Sequence, residues 1–467
     1  MGFVARLREH GRRADRAAIV AEGKSLDWPQ LVARVHRETA ALRAAGVGPG
    51  TTAGISIADE VEHFIASLAL ISAGAWQIAL ATHDTPQERE EIAARARVTH
   101  VLLGQQGEPR TSSVPHLTWP LDAAAAAENV PEGGVFLRTS GTTGSSNIVP
   151  LTGDDLLVQA GRNPEYANGR LLRPASIEHN NSKRHRLYCA AMGGTNVFRA
   201  EGDFDLTEFC RVHHVTTLDL ALMQAADLAA APRPGLEQVD VRVSGSAVPY
   251  ALRERIEQNV TRRLYVRYGS TESGTVSVAG PGEHDAAESV GQVVSGLELQ
   301  IVDGEGLPLS PGEAGQIRMR GEGIAPGYFD GAEQTASRYR EGWYWPGDLG
   351  HLGADGSLVI LGRADDMINL NGINIFPSEI ERVLEQHPAV LAAAALPFAS
   401  AIHGQIPVAA VELRAGRLVT DQELVAYARE HLALRAPRRI IILAELPRNS
   451  QGKILRREIA ASFDRRR

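Results

Sequence analysis

The sequence predicts an α/β fold made of more than one folding unit. Three observations carry this. The chain has 467 residues, more than one ordinary hydrophobic core organises. Short β-rich runs alternate with amphipathic helical stretches along most of it. The pattern then turns β-rich over 291–362 and changes again after Arg363, where a tail of about 100 residues has the helices and strands for a small α+β unit.

Taken in order, the first clear helix follows Asp27. Asp27 caps it, Pro29 suits its first turn, and Gln30 completes a capping box. Leu31, Val35 and Leu42 lie on one face, and Gly46 stops it. The glycines of Gly46-Val47-Gly48-Pro49-Gly50 follow a helix rather than a strand, so they read as cap and turn. An apolar run is expected at 53–57, helices through 64–71 and 89–96, and a strand over 99–103. Residues 104–134, rich in Gly, Pro, Ser and Ala, read as a surface connection. A short strand at 135–138 leads into a loop of small hydroxylated residues. Further on, strands are expected at 297–302, 315–320 and 357–361, with Asp355-Gly356 as a hairpin turn. In the tail, 378–386 and 421–432 read as helices and 390–396 and 408–413 as strands.

Composition narrows the functional classes. The net charge of −8 argues against a general nucleic-acid binder, which carries a basic domain or stripe. No stretch approaches the roughly eighteen apolar residues of a spanning helix. The first residues carry charge and no apolar h-region, so no secretory signal is read. Two cysteines, Cys189 and Cys210, fit a reducing cytosol and exclude a disulfide framework. A cytoplasmic location is therefore expected. Only three lysines occur, Lys24, Lys183 and Lys453, against abundant arginine, so a lysine inside a chemically sensible motif carries information.

Three segments point to chemistry. In Thr139-Ser140-Gly141-Thr142-Thr143-Gly144-Ser145-Ser146-Asn147, two glycines let the backbone turn and approach a ligand, and the hydroxyls and N–H groups suit phosphate oxygens. The Gly-Lys-Ser/Thr ending of a Walker loop is absent, and a plain Ser/Gly loop remains the other reading. Tyr268-Gly269-Ser270-Thr271-Glu272 offers a ring, a hydroxyl and a carboxylate. Mg²⁺ typically keeps one or two carboxylates plus phosphate oxygens, while a helix N-terminal acid is the bland alternative for Glu272. Pro447-Arg448-Asn449-Ser450-Gln451-Gly452-Lys453 places a rare lysine after a glycine; such a residue is otherwise a solvated surface group.

These segments, in this order, resemble the adenylate-forming superfamily, which includes acyl- and aryl-CoA synthetases, peptide-synthetase adenylation domains and firefly luciferase. The resemblance spans essentially the whole chain. It implies a large N-terminal domain over 1–363, of two α/β layers plus a β-barrel-like part, and a small mobile α+β C-terminal domain over 364–467. It implies that ATP and Mg²⁺ turn a carboxylic acid into an acyl-adenylate, and that the acyl group passes to a thiol, on coenzyme A or on the phosphopantetheine of an acyl carrier protein. Thr139, Ser140, Gly141, Thr142, Thr143 and Gly144 match the family's phosphate loop, but Ser146, Asn147 and Ile148 replace its usual Pro-Lys-Gly. Weaker ATP binding is expected from the missing lysine, and a catalytically degenerate nucleotide-binding scaffold is the reading of another class.

The remaining roles come from the same resemblance. Gly245, Ser246 and Ala247 lie beside adenine, and Tyr268, Gly269 and Ser270 follow, with the ring of Tyr268 on adenine. Thr271 approaches the α-phosphate. Glu272 and Thr142 hold the metal. Asp348, in Gly342-Trp343-Tyr344-Trp345-Pro346-Gly347-Asp348, binds the ribose hydroxyls with Arg363. Asp365 is the hinge, Gly372 lines the thiol tunnel, and Lys453 joins Glu272 and Thr271 as a catalytic group. His179, Ala221, Met223, Ser244 and Gly274 line the acid pocket, within a region that includes 219–223. The stretch from His179 to His185, with His213, His214 and the cysteines, matches no zinc spacing and reads as a polar loop. Phe204-Asp205 falls too far along to hold an amino acid's amine, so an aryl or modest acyl acid is expected. Arg435, Arg438 and Arg439 face coenzyme A phosphates or are a solvated basic face.

Overall fold

A computed structural model describes residues 2–105, 114–121, 130–139, 146–199, 205–285, 287–370, 373–400, 404–448 and 454–464. Four sheets organise them.

The first sheet has six strands in the order His116–Thr118, His100–Leu103, Thr52–Ser56, Trp76–Ala79, Gly134–Arg138 and Ile148–Thr152. All pair in parallel except the last two, which are antiparallel from Gly134↔Thr152 to Arg138↔Ile148. The stretch 104–134 is therefore more than a surface connection: His116–Thr118 extends the sheet beside His100–Leu103. Its three residues are too short to show an alternating pattern in sequence.

Helix Trp28–Ala44 has the expected capping box, with the Gln30 N–H donating to Asp27 Oδ1 at 2.7 Å. Gly46 takes φ +83° just past its end. Helix Glu60–Ala73 is buried on every side from His63 to Ile71, as an apolar helix between packed layers must be.

The second sheet has nine strands. Its central members, Leu264–Ser270, Asp240–Ser244, Thr217–Leu220, Arg170–Leu172, Thr195–Val197 and Ala17–Ala21, run parallel. Antiparallel strands close both edges: Gly274–Ala279 and Gln292–Val293 at one, Lys24–Asp27 at the other.

A third sheet, from Leu297–Val302 to Leu358–Arg363, is antiparallel. The fourth joins Ile368–Leu370, Ile373–Ile375, Val390–Ser400, Gly404–Leu413 and Arg439–Leu443. It packs helices Pro377–Glu385 and Asp421–Leu432 over a core of its own, around Ile380, Leu384, Ala409 and Leu424. No described helix is long and apolar enough to cross a membrane.

One correction bears on function. The stretch from Asn180 is not a polar loop. It is helix Asn180–Ala191, and Ser182, Lys183, Arg184, His185 and Arg186 on it are all buried. The helix bridges the first two sheets: Asn180 Nδ2 donates to the Arg138 carbonyl of one, and Arg184 Nη1 donates to Ser270 O of the other at 2.8 Å. Its polar side chains are tolerated because carbonyls at strand ends accept from them.

Candidate active site

The carboxyl ends of parallel strands in the two large sheets supply the site. Arg138, Ser244 and Ser270 end the strands Gly134–Arg138, Asp240–Ser244 and Leu264–Ser270, and α/β sheets offer ligand crevices at such ends.

The base of the hydroxyl-rich loop is pinned. Thr139 N–H donates to Asn147 O at 2.9 Å, and Asn147 N–H returns to Thr139 Oγ1 at 3.2 Å. Arg95 Nη2 donates to Ser146 O at 2.6 Å while its Nε pairs with Asp330 at 2.5 Å. Ser140, Gly141, Thr142, Thr143 and Gly144 lie outside the described residues, as do Gly372 and Lys453.

Tyr268-Gly269-Ser270-Thr271-Glu272 forms the end of one strand and the turn of a hairpin into Gly274–Ala279, with a register shift between Tyr268 and Gly269. The turn explains two glycines. A Cβ on Gly269 would lie 2.1 Å from Gly274 O, and Gly274 has φ +72°, a region that side chains disfavour. Glu272 is thus no helix N-terminal acid. Its side chain is buried, and Tyr328 Oη donates to Oε1 at 2.8 Å. Burial, and then the Glu272 charge, push the Tyr328 hydroxyl well above its ordinary pKa, so it stays a donor. No hydrogen bond engages Oε2 among the described residues.

A second carboxylate is held nearby. Tyr268 Oη donates to Asp348 Oδ2, and Arg363 Nη1 donates to Oδ1 at 3.1 Å and to Pro346 O at 2.7 Å. Burial and then Asp348 raise the Tyr268 pKa well above its usual value. Each carboxylate oxygen keeps a lone pair for a further donor. Pro346 presents the carbonyl that helps anchor Arg363. Asp365 is 61% exposed and meets Arg363 at 3.7 Å and Arg338 at 3.6 Å.

On the opposite wall, Ser244 Oγ accepts from Asn181 Nδ2 at 3.4 Å. Gly245 follows with φ +91° and open space where a Cβ would stand, and Ser246 and Ala247 continue along the surface. His179 precedes helix Asn180–Ala191, its ring 5.2 Å from that of His83. Burial first, then the charge of His83, lowers the His179 pKa, so the ring is neutral near pH 7. Ala221 is half-buried and Met223 37% exposed. Asp219 does not line a pocket. It is sealed between Arg173, at 2.7 Å, and Arg267, because a carboxylate this deep requires cationic partners. Asp205 caps helix Leu206–Val212. Arg435 pairs with Glu379 at 3.3 Å, while Arg438 and Arg439 line a cavity of about 310 Å³ with Arg429 and Asp421.

Among the described residues no group of three or more His, Cys, Asp or Glu could hold a metal. An all-protein cage for a transition metal is therefore not present there. The set of one carboxylate with a free oxygen, Glu272, fits Mg²⁺ carried mainly by phosphate oxygens. Sequence reading missed Tyr328 and Arg184. Tyr328 lies 56 positions from the Glu272 it holds, and no local pattern signals such a pair.

Comparison with known proteins adds to this geometry. The sequence model for AMP-binding enzymes matches residues 7–329, and that for the AMP-binding enzyme C-terminal domain matches 379–453. A probable CoA ligase, CCL9, of Humulus lupulus is 26% identical, over 96% of this chain and 94% of that protein. The oxalate–CoA ligase of Arabidopsis thaliana is 28% identical, over 96% of each. The o-succinylbenzoate coenzyme A synthetase of Bacillus subtilis, solved in complex with ATP and magnesium ion, superposes with a TM-score of 0.85. It is 24% identical, covering 97% of this chain and 98% of that one.

Proposed function

Because this chain belongs to the AMP-binding enzyme family and is an AMP-forming ligase, we propose that it activates an aryl or short-to-medium acyl acid with ATP and passes the acyl group to coenzyme A. One observation carries the reading of the site. Two carboxylates at the mouth of the strand ends are differently prepared: Asp348 is fixed by Tyr268 and Arg363, and Glu272 keeps one oxygen free. The first suits a diol and the second a hard cation.

ATP is consumed, so it is a substrate. In this reading Asp348 and Arg363 take its ribose, Tyr268 stacks on adenine beside Gly245–Ala247, and the loop from Thr139 to Gly144 receives the phosphates. Glu272 and Thr142 would hold Mg²⁺, which supplies neutralisation of phosphate charge. Acid and triphosphate are both anions, so charge must be offset and an in-line approach fixed. Lys453 draws the acid's carboxylate towards the α-phosphorus near Thr271. A carboxylate oxygen bonds to that phosphorus, its bond to the bridging oxygen breaks, and pyrophosphate leaves.

The tail, from residue 364, then turns about Asp365. The ion pairs of Asp365 are long and exposed, and such pairs contribute little, so the turn costs little there. Lys453 withdraws and the Gly372 loop approaches. The thiol sulfur attacks the acyl carbon, the carbon–oxygen bond to phosphate breaks, the thiol proton passes to solvent, and AMP leaves. Free, buried Cys189 and Cys210 accord with a cytoplasmic setting. His179, Ala221, Met223, Ser244 and Gly274 border the acid.

The test is acid-dependent ATP–pyrophosphate exchange over a panel of acids, followed by thioester formation with coenzyme A or a phosphopantetheinyl carrier protein. Exchange with thioester formed on coenzyme A is expected. ATP binding without exchange for any acid would indicate the degenerate scaffold that Asn147 raises. Exchange with transfer only to the carrier would move the acceptor.

A further inference from the structure

The turn that carries Thr271 and Glu272 is held at four consecutive backbone carbonyls. Arg184 Nη1 donates to Ser270 O at 2.8 Å and to Thr271 O at 3.0 Å. The Ala325 N–H donates to Glu272 O at 2.8 Å. Arg162 Nη1 donates to Ser273 O at 2.7 Å. The ladder between the two flanking strands shifts register here, and Glu272 and Ser273 are buried. Carbonyls so placed need donors from elsewhere. Two of the three donor groups are guanidiniums that are themselves buried.

Arg162 reaches further than one carbonyl. It stands just past helix Gly153–Gly161, and its Nη2 donates to Glu322 O. Gln159, one turn earlier, donates to Gly323 O at 2.6 Å. Both ties hold the segment whose Ala325 takes Glu272 O and whose Tyr328 takes Glu272 Oε1. Glu272 is thus gripped at backbone and side chain by groups that Arg162 keeps together. Arg184 fixes the Thr271 side of the same turn.

A planar guanidinium offers several N–H groups in fixed directions, and its charge strengthens each bond. Arg89 holds the carbonyls of Ala81, Thr82 and Asp84 in the same manner, so such a grip is not in itself functional. What sets the pair at the turn apart is what that turn carries.

We propose that Arg162 and Arg184 are positioning residues for the metal and phosphate site: touching neither ligand, they set the places of Glu272 and Thr271. This rests on the roles given to those two residues above. Partners that orient a metal ligand govern metal binding nearly as strongly as the ligand does.

The experiment is calorimetric titration of the full chain with α,β-methylene ATP, which cannot release pyrophosphate, with and without Mg²⁺. The wild-type chain should bind the magnesium complex more tightly than the free nucleotide. Arg162→Gln should raise the Kd of the magnesium complex by about 10–100-fold, with the metal-free Kd little changed. Arg184→Gln should raise both, because Thr271 meets phosphate with or without the metal. Lysine keeps the charge but serves fewer carbonyls, so each lysine variant should fall between wild type and glutamine. A structural prop alone would lower Tm and leave both Kd values of the folded protein unchanged.

Folded variants with the wild-type Kd for the magnesium complex would overturn the inference and leave adenylation standing. If the glutamine variants do not fold, the lysine variants decide by the same criterion. A wild-type chain that gains nothing from Mg²⁺ would remove the metal role of Glu272, and this inference with it. No binding of the analogue at all would remove the adenylation reading as well.

Discussion

Tyr268 donates its hydroxyl to Oδ2 of Asp348, 80 positions along the chain, while Arg363 occupies Oδ1. The contact joins the second sheet to the third and, with Arg363, holds the Asp348 carboxylate in place. Tyr268→Phe keeps the ring and removes this restraint. A hydrogen bond to a charged group contributes about 1.5–3 kcal/mol, so the KM for ATP should rise about 10-fold or more with little change in kcat. Exchange kinetics at varied ATP check this; an unchanged KM would separate Asp348 from the ribose.

Lys453→Ala should lower the adenylation rate by roughly 10²–10³, comparable to loss of one oxyanion donor. Thioester formation from preformed acyl-AMP should fall much less. Single-turnover measurement of each half-reaction decides, and equal damage to both would contradict the role assigned to the lysine.

Asn147→Lys returns a mobile cation to the end of the phosphate loop, whose base is pinned by Thr139. A charge-assisted contact to phosphate should lower the KM for ATP by about 10-fold. The measurement is the same exchange assay, and no change would mean that position 147 does not reach the phosphates.

Lys183 is buried, and its Nζ reaches Gln77 Oε1 at 3.5 Å. Burial, opposed by Glu178, brings its pKa down to about 7 from an unfolded value of 10.5. Below pH 7 both states hold the proton, and the folded state carries the whole burial penalty. Between the two values only the unfolded chain binds it, so this contribution to stability rises with pH and the penalty is gone above the upper value. Lys183→Met should therefore raise Tm by about a few °C at pH 6, with the gain shrinking towards pH 10. Thermal scans across that range test it, and a gain independent of pH would mean that Lys183 does not titrate there.

How much was legible beforehand can be seen residue by residue. The capping box at Asp27 and Gln30 is local, so sequence spacing sufficed to place it. Leu297–Val302 and Asp421–Leu432 fell where periodicity put them. Helix Asn180–Ala191 did not, because its charged residues contradict an apolar stripe. Its burial depends on backbone carbonyls outside the helix, such as Arg173 O and, 86 positions from Arg184, Ser270 O. Asp219, expected at a pocket wall, is locked by Arg173 and Arg267, and only the folded chain reveals that pairing.

The sequence by itself determined the α/β class, the order of the motifs and the chemical types available: a hydroxyl loop, two carboxylates and a rare lysine. These follow from local spacing, which secondary structure preserves. Tertiary structure alone decided which carboxylate is clamped and which keeps a free oxygen, and that the charged side chains of helix Asn180–Ala191 are buried. Those properties depend on desolvation and on partners tens to hundreds of residues away, and neither is written in any local window of the chain.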